Sequence, residues 1–227
     1  MIIAAHQPQY LPWLGYFHKI YEAQAFVFLD NVQYEERGYQ NRNRIRTKDS
    51  WIWLSVPVLK TKEAYPNISR VYIDNSQDWH KSHWRSIYLN YARSAFFKEY
   101  SGFFEDLYSK KWERLIDLNI HLIKSINQFL GIDKKIYLES QFKINSASTQ
   151  RIIDICQALK ADVYLSGSGG KAYLEEEKFQ QNNIKLIYQQ FKHPEYAQLH
   201  KPFLPFMSII DLMFNHGPDS LKILSGT

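Results

Sequence analysis

The residues best suited to chemistry lie in the segment HQPQYLPWLGYF, which begins at His6 directly after a short apolar run. Imidazole titrates near neutral pH, so His6 is a candidate acid, base or phosphate ligand. Two prolines stiffen the segment, and Gln7, Tyr10, Trp13 and Tyr16 carry groups that stack or form hydrogen bonds. We predict that His6 is catalytic and that the other four bind a ligand at the rim of a cleft. The alternative is a histidine that only holds its own loop.

A glycine-rich turn, LSGSGGKAY, lies between a predicted strand and a helix predicted to start at Ala172. Glycines leave backbone N–H groups free to face an anion, and a helix N-terminus favours negative charge. The segment lacks the GxxxxGK[ST] pattern of a phosphate-binding P-loop, and an ordinary strand-to-helix turn is the alternative. The predicted anion-binding residues are Ser166, Gly167, Gly169, Gly170 and Lys171.

Arginines alternate in the segment NRNRIRTK, so that on a strand Arg42, Arg44 and Arg46 share one face. Guanidinium groups this close repel one another unless an anion meets them, and their geometry suits diphosphates. We predict that these arginines, with Asn41 beside them, bind phosphate; a solvated edge strand is the alternative. Asp30, which closes the second predicted strand, is a further candidate because ligands collect at the carboxyl ends of parallel strands.

Two more positions are candidates for acid–base chemistry. His193 follows a predicted strand beside an acidic residue, and Asp211 lies in an apolar helical pattern, at a position that faces inward. An inward carboxylate is costly unless it is paired, so Asp211 should meet a cation or buried donors. We predict catalytic roles for both. His80 and His83 share a helix face, but no third ligand has a recognisable spacing, so no metal is predicted.

The elements that must position these residues alternate between strand and helix. Strand, loop, helix and strand within the first thirty residues form a βαβ unit, and the pattern repeats as βαβαβ from Lys135 onward. Arg70–Asp74 is predicted as another short strand. We therefore predict a single α/β domain over residues 1–227, with a mostly parallel, Rossmann-like sheet and a mainly helical segment at about 79–131.

Composition limits the classes of partner. The net charge is +5, which is compatible with phosphate-bearing ligands, but no long basic run predicts nucleic-acid binding. Cys156 is the only cysteine, so no intramolecular disulfide can form, and a reducing compartment is favoured. Since neither a signal peptide nor a membrane-spanning apolar run is recognisable, we expect a cytoplasmic protein that does not insert into membranes. A homodimer contact through the Asp211 helix is an open alternative.

The sequence resembles the WbqC-like family from Ile3 to about Gly217. The resemblance implies a bacterial protein of surface-polysaccharide (O-antigen) biosynthesis that helps to make modified sugars, and it assigns no catalytic residues. The matching blocks are HQPQYLPWLGYF, Leu29–Thr47, Tyr164–Leu174, Phe191–Tyr196 and Phe203–Gly217.

The first strand and loop are also similar to the start of nucleotidylyltransferase-like enzymes, in which an HxGH motif holds ATP phosphates. Here no HxGH follows His6, since His18 is the next histidine. STQR at Ser148–Arg151 faintly resembles a helix start of the same superfamily. The missing motif argues against nucleotidyl transfer but leaves an adenylate-forming relative open, with ATP as a candidate cofactor.

Together these features predict an enzyme that transfers an acyl or aminoacyl group, such as glycyl, to the amino group of a nucleotide-linked amino sugar. An ATP-derived adenylate is a candidate intermediate. Two alternatives stay open at this stage. One is a nucleotidyltransferase acting on a sugar phosphate, and the other is a non-catalytic accessory protein that binds nucleotide sugars.

Overall fold

The computed structural model of the protein describes residues 1–60, 63 and 65–226. Within these residues the strands are β1 (Ile2–His6), β2 (Ala25–Phe28), β3 (Arg42–Arg46), β4 (Trp51–Ser55), β5 (Lys135–Leu138), β6 (Val163–Ser166) and β7 (Lys185–Tyr188). The α-helices are α1 (Leu14–Glu22), α2 (Trp79–Tyr91), α3 (Phe97–Ser109), α4 (Leu115–Phe129), α5 (Ser148–Ala158), α6 (Glu176–Gln181), α7 (Ile209–His216) and α8 (Ser220–Ser225).

Five of the strands form one parallel sheet in the order β5-β2-β1-β6-β7. Counted along the chain within this sheet, the order is 3-2-1-4-5, that of a Rossmann-like fold. The remaining two strands, β3 and β4, form an antiparallel hairpin of their own. The predicted α/β class with a mostly parallel sheet is confirmed.

The sheet is buried on both faces, as its nearly continuous apolar strands require. Alternate side chains such as Ala4 and Phe26 belong to a large core cluster that includes buried residues of α1 to α4, α7 and α8. Ile3 and Val27 belong to a smaller cluster with residues of α5 and α6. The segment predicted to be helical holds α2, α3 and α4 and contributes to the large cluster. The assignment of the whole chain to one domain stays a prediction.

Two element predictions were wrong. The segment Arg70–Asp74 forms no strand of a sheet: a 3-10 turn, Ile68–Arg70, leads into isolated bridges to Val58 and Arg114. Its backbone groups bond to loops on either side, so no continuous partner strand exists. The helix predicted from Ala172 begins instead at Glu176, because the turn continues as a 3-10 helix over Ser168–Ala172.

Candidate functional site

The carboxyl ends of β1 and β6 define the candidate site. After β1 the chain adds β2 and β5 on one side of it, and then β6 and β7 on the other side. The direction in which strands are added therefore reverses between β1 and β6. Ligands of open α/β sheets bind in the crevice outside the strand ends at such a point. His6 ends β1 and Ser166 ends β6, so the first helix and both loops predicted to bind ligand meet here.

His6 is held by its own loop. Its Nδ1 lies 3.1 Å from the Gln7 carbonyl oxygen, which also accepts a hydrogen bond from the Tyr16 hydroxyl at 3.0 Å. A carbonyl can only accept, so Nδ1 carries the proton and Nε2 is left as an acceptor. Burial, with the nearby Lys19 charge, lowers the pKa of His6 to about 3. His6 is therefore neutral near pH 7 and faces a ligand as an acceptor rather than as a cation.

Lys19 belongs to this site although no motif pointed to it. Its side chain is buried, and Nζ donates to the Ala5 carbonyl oxygen at 3.2 Å. Burial lowers its pKa to about 7. The spacing from Tyr16, three residues earlier on the buried face of α1, is the sequence signal that could have identified Lys19 as an inward-facing lysine.

The glycine-rich turn is tighter than a phosphate cradle. The Ser166 hydroxyl donates to the Gly167 carbonyl oxygen at 3.0 Å, and a Cβ on Gly170 would lie 2.0 Å from that hydroxyl. Lys171 is exposed, with Nζ 5.3 Å from the centre of the Tyr188 ring. Gly169 has open space around it. Because α6 starts only at Glu176 and opens with acidic residues, its N-terminus does not begin within this turn. The anion-binding role of the turn stays a prediction.

Trp13 is the centre of an aromatic cluster at the rim. Its ring stacks on His193 at 6.3 Å between centroids and lies near Phe206 at 5.7 Å. His193 donates from Nδ1 to the Pro194 carbonyl at 2.8 Å and accepts the Phe206 N–H at Nε2, at 3.1 Å. Both ring nitrogens are therefore engaged by backbone groups, and the catalytic role of His193 stays a prediction.

The three arginines divide into two environments. The guanidinium of Arg42 lies 4.4 Å over the Trp53 ring, and that of Arg44 lies 5.0 Å over Trp51. Both side chains are partly exposed on this arginine–tryptophan face of the hairpin. Arg46 is only 1% exposed. Its guanidinium donates to the carbonyl oxygens of Thr47, Ser50 and Pro202, and the prediction that Arg46 binds phosphate stays a prediction.

Asp211 is 0% exposed and belongs to the same buried network. Its carboxylate accepts from the Tyr91 hydroxyl at 3.0 Å, the Tyr196 hydroxyl at 2.9 Å and Gln198 Nε2 at 2.8 Å. Burial raises its pKa, against these hydrogen bonds and the Arg46 charge, which lower it. The predicted buried donors are present. The carboxylate is enclosed by these donors, and its catalytic role stays a prediction.

Three other predicted binding residues are committed to the fold. Tyr10 is fully buried, and its hydroxyl lies 2.8 Å from His83 Nδ1 and 2.5 Å from the Tyr108 hydroxyl. Asp30 accepts from the backbone and hydroxyl of Ser140, which ties the end of β2 to the end of β5. Asn41 donates to the Val56 carbonyl oxygen at 2.9 Å. A ligand role for these three residues stays a prediction.

A cleft of about 660 Å³ opens beside the hairpin, and no sequence motif predicted it. Tyr34, Glu35, Glu36, Lys60 and Tyr65 are among its lining residues. Gln40 connects its wall to the strand end: Oε1 accepts the Glu35 N–H at 2.8 Å, and Nε2 donates to Gln7 Oε1 at 2.8 Å. Gln7, the residue after His6, is therefore connected to the wall of the cleft through the side chain of Gln40.

Two further observations concern the residues that the structure describes. No group of three or more His, Cys, Asp or Glu side chains is arranged there to hold a metal ion. None of the described helices combines the length and the apolar character needed to cross a bilayer.

The fold and the strand-end crevice define a Rossmann-like α/β protein with a candidate small-molecule site at its strand-order reversal. The chain belongs to the WbqC-like protein family, whose model matches residues 7–223. It is 33% identical over 225 residues to the uncharacterized protein Rv1507c of Mycobacterium tuberculosis, an alignment that covers 97% of each chain. No solved structure matches. Family membership suggests a role related to polysaccharide biosynthesis.

Proposed function

We propose that the protein transfers an acyl or aminoacyl group, such as glycyl, to the amino group of a nucleotide-linked amino sugar in bacterial surface-polysaccharide biosynthesis. The observation that carries the proposal is the 3-2-1-4-5 strand order with His6 at the reversal, a place where nucleotide-like ligands bind in sheets of this class. ATP is the proposed cofactor that activates the acyl group as an adenylate.

The neutral imidazole suits the amine rather than the phosphate. His6 Nε2 has no hydrogen-bond partner among the described residues and can accept an N–H from the substrate amine, which holds its lone pair toward the acyl carbonyl. In the proposed step the amine nitrogen forms the C–N bond, the C–O bond to AMP breaks, and the amine loses one proton to solvent. His6 orients the attacking group.

The arginine–tryptophan face of the hairpin suits a phosphate-bearing substrate. The guanidinium groups of Arg42 and Arg44 lie over indole rings, and each donates through one terminal nitrogen to a backbone carbonyl oxygen, that of Arg37 or Phe206. Stacked guanidinium groups with free N–H donors suit phosphate recognition. The nearby cleft, with Tyr34 and Tyr65 in its lining, offers room for the sugar.

Mass spectrometry tests the proposal directly. The protein is incubated with ATP, a panel of acids and amino acids including glycine, and nucleotide-linked amino sugars. The expected product is the sugar nucleotide heavier by one acyl group, with AMP and pyrophosphate released. His6→Gln should lose turnover, whereas His80→Ala on α2 should keep it.

The other outcomes separate the alternatives. Pyrophosphate released from a nucleoside triphosphate and a sugar phosphate, without any amine acceptor, would indicate nucleotidyl transfer instead. Binding of nucleotide sugars with no turnover across the panel would indicate an accessory binding protein.

A further inference from the structure

Lys19 is a buried amine without a counter-charge. It is 4% exposed, and no carboxylate of the described residues lies within ion-pair distance of Nζ, since the ion pairs of the structure involve other residues. Its single hydrogen bond goes to the Ala5 carbonyl oxygen, although an ammonium group has three N–H donors. Burying such a group unpaired is unfavourable, so its presence here requires an explanation other than packing.

The position of Lys19 supplies that explanation. Its partner Ala5 is the residue before His6, at the end of β1. On the other side of the crevice, a Cβ added to Gly167 would lie 3.9 Å from Nζ, with no closer atom. Gly167 follows Ser166 at the end of β6. The amine therefore lies beneath the strand-order reversal, and the residue between it and the crevice has no side chain.

We propose that Lys19 anchors an anionic group, a phosphate of the nucleotide-linked substrate, which enters the crevice over Gly167 and supplies the missing counter-charge. The proposal rests on the proposed function for the identity of the anion as a phosphate ester. The anchor itself follows from the geometry of the crevice.

The electrostatic surroundings agree with this assignment. Burial lowers the pKa of Lys19 to about 7. An adjacent negative charge raises the pKa of an amine, so Lys19 gains a proton when an anion binds beside it. Protonation of Lys19 on binding is then the expected signature. The other ionisable groups of the surrounding elements are His6 on β1, Tyr16, His18, Tyr21 and Glu22 on α1, Tyr164 on β6, Lys222 on α8, and Lys171 and Tyr188 beyond β6.

Isothermal titration calorimetry tests the anchor with two probes whose phosphate or sulfate groups do not titrate between pH 6 and 8.5: sulfate and UDP-N-acetylglucosamine. Above pH 7 the affinity of the wild-type protein should fall by up to about tenfold per pH unit, with uptake of about one proton per ligand. Lys19→Met should weaken binding at least about tenfold at pH 6, because a charge-assisted contact is lost. Lys98→Met, on the exposed face of α3, should bind as the wild type does.

Gly167→Val is the second variant, since it covers the path to Nζ without changing Lys19 or straining a backbone with φ of −67°. It should weaken sulfate binding while the melting temperature stays unchanged. Sulfate affinity within about twofold of wild type in both variants, or binding at pH 8.5 without proton uptake, would overturn the anchor. If Lys19→Met loses sulfate binding but the wild type modifies no amino sugar, the anchor stands and the proposed function fails. If the wild type transfers the acyl group but Lys19→Met binds sulfate as well as the wild type does, the proposed function stands and the anchor fails.

Discussion

Asp211 shows how an individual residue can carry the signs of catalysis and still serve the fold. Replacing it with alanine should lower the free energy of unfolding by about 3 kcal/mol, because Tyr91, Tyr196 and Gln198 lose a buried charged acceptor. Urea denaturation measures the change. Asp133→Ala, at an exposed carboxylate, should stay within about 0.5 kcal/mol of wild type. A fully stable Asp211→Ala protein would mean that this carboxylate does not stabilise the fold.

At this scale the sequence revealed which residue types matter but not where their side chains point. His6 was identified because a histidine at a strand end is unusual, and its position at the strand-order reversal agrees with that reasoning. His193 was chosen because it follows a predicted strand, yet both of its ring nitrogens form hydrogen bonds with backbone groups, those of Pro194 and Phe206. Lys19 was missed because it belongs to no motif, although its spacing from Tyr16 places it on the inward face of α1. Its closeness to Gly167 at the end of β6 is a long-range contact that leaves no local signal.

Among the elements, the start of α1 depends on a close contact between neighbours. A Cβ on Gly15 would lie 2.4 Å from ring atoms of Trp13, so Gly15→Ala should displace the indole from His193 and destabilise the protein by about 1–3 kcal/mol. Gly102 has the opposite surroundings, since nothing lies within 4 Å of an added Cβ in α3. Gly102→Ala should therefore stabilise the protein by about 0.5–1 kcal/mol.

Urea denaturation of both glycine variants, followed by tryptophan fluorescence, gives two changes of opposite sign. Equal effects of the two substitutions would mean that the contact with Trp13 does not constrain α1.

Elements with strong local patterns were predictable, and those set by packing were not. The continuous apolar run at Ala25 predicted β2, although the strand ends at Phe28 rather than at Asp30. Arg70–Asp74 has the composition of a strand, but its carbonyl groups accept from Leu115 at the start of α4 and from Leu59 in a loop, so it pairs with no single neighbour. Strand propensity states only that a segment fits a sheet; a partner must also be in place.

For the whole molecule, the sequence predicted a parallel sheet but could not order its strands. The βαβ pattern requires parallel neighbours, and β1 indeed pairs with β2. Nothing local requires β6 to return to the free edge of β1, which depends on how helices cover both faces. That return creates the crevice, so the candidate site is a property of the topology. The sequence could indicate individual candidate residues, but it could not predict that they lie close together in the fold.

Stability of the whole molecule should depend on pH through histidines that are buried in the neutral form. Burial lowers the pKa of His83 to about 4 and that of His6 to about 3, against about 6.5 in an unfolded chain. Between pH 6.5 and pH 4 the unfolded chain binds more protons at these groups. Their contribution is therefore complete above pH 6.5 and is lost as the pH falls, by up to about 1.4 kcal/mol per pH unit for each histidine.

Asp211 and Glu139 shift in the other direction, since burial raises the pKa of both carboxyls, and their effect opposes that of the histidines. A comparison of variants isolates the histidine contribution. Urea denaturation from pH 4.5 to 7.5 should show a shallower loss of stability for His83→Gln than for the wild type, whereas His200→Gln should follow the wild-type curve. Parallel curves for His83→Gln and wild type would mean that His83 takes up its proton in the folded protein as readily as in the unfolded chain, and that burial does not hold it neutral.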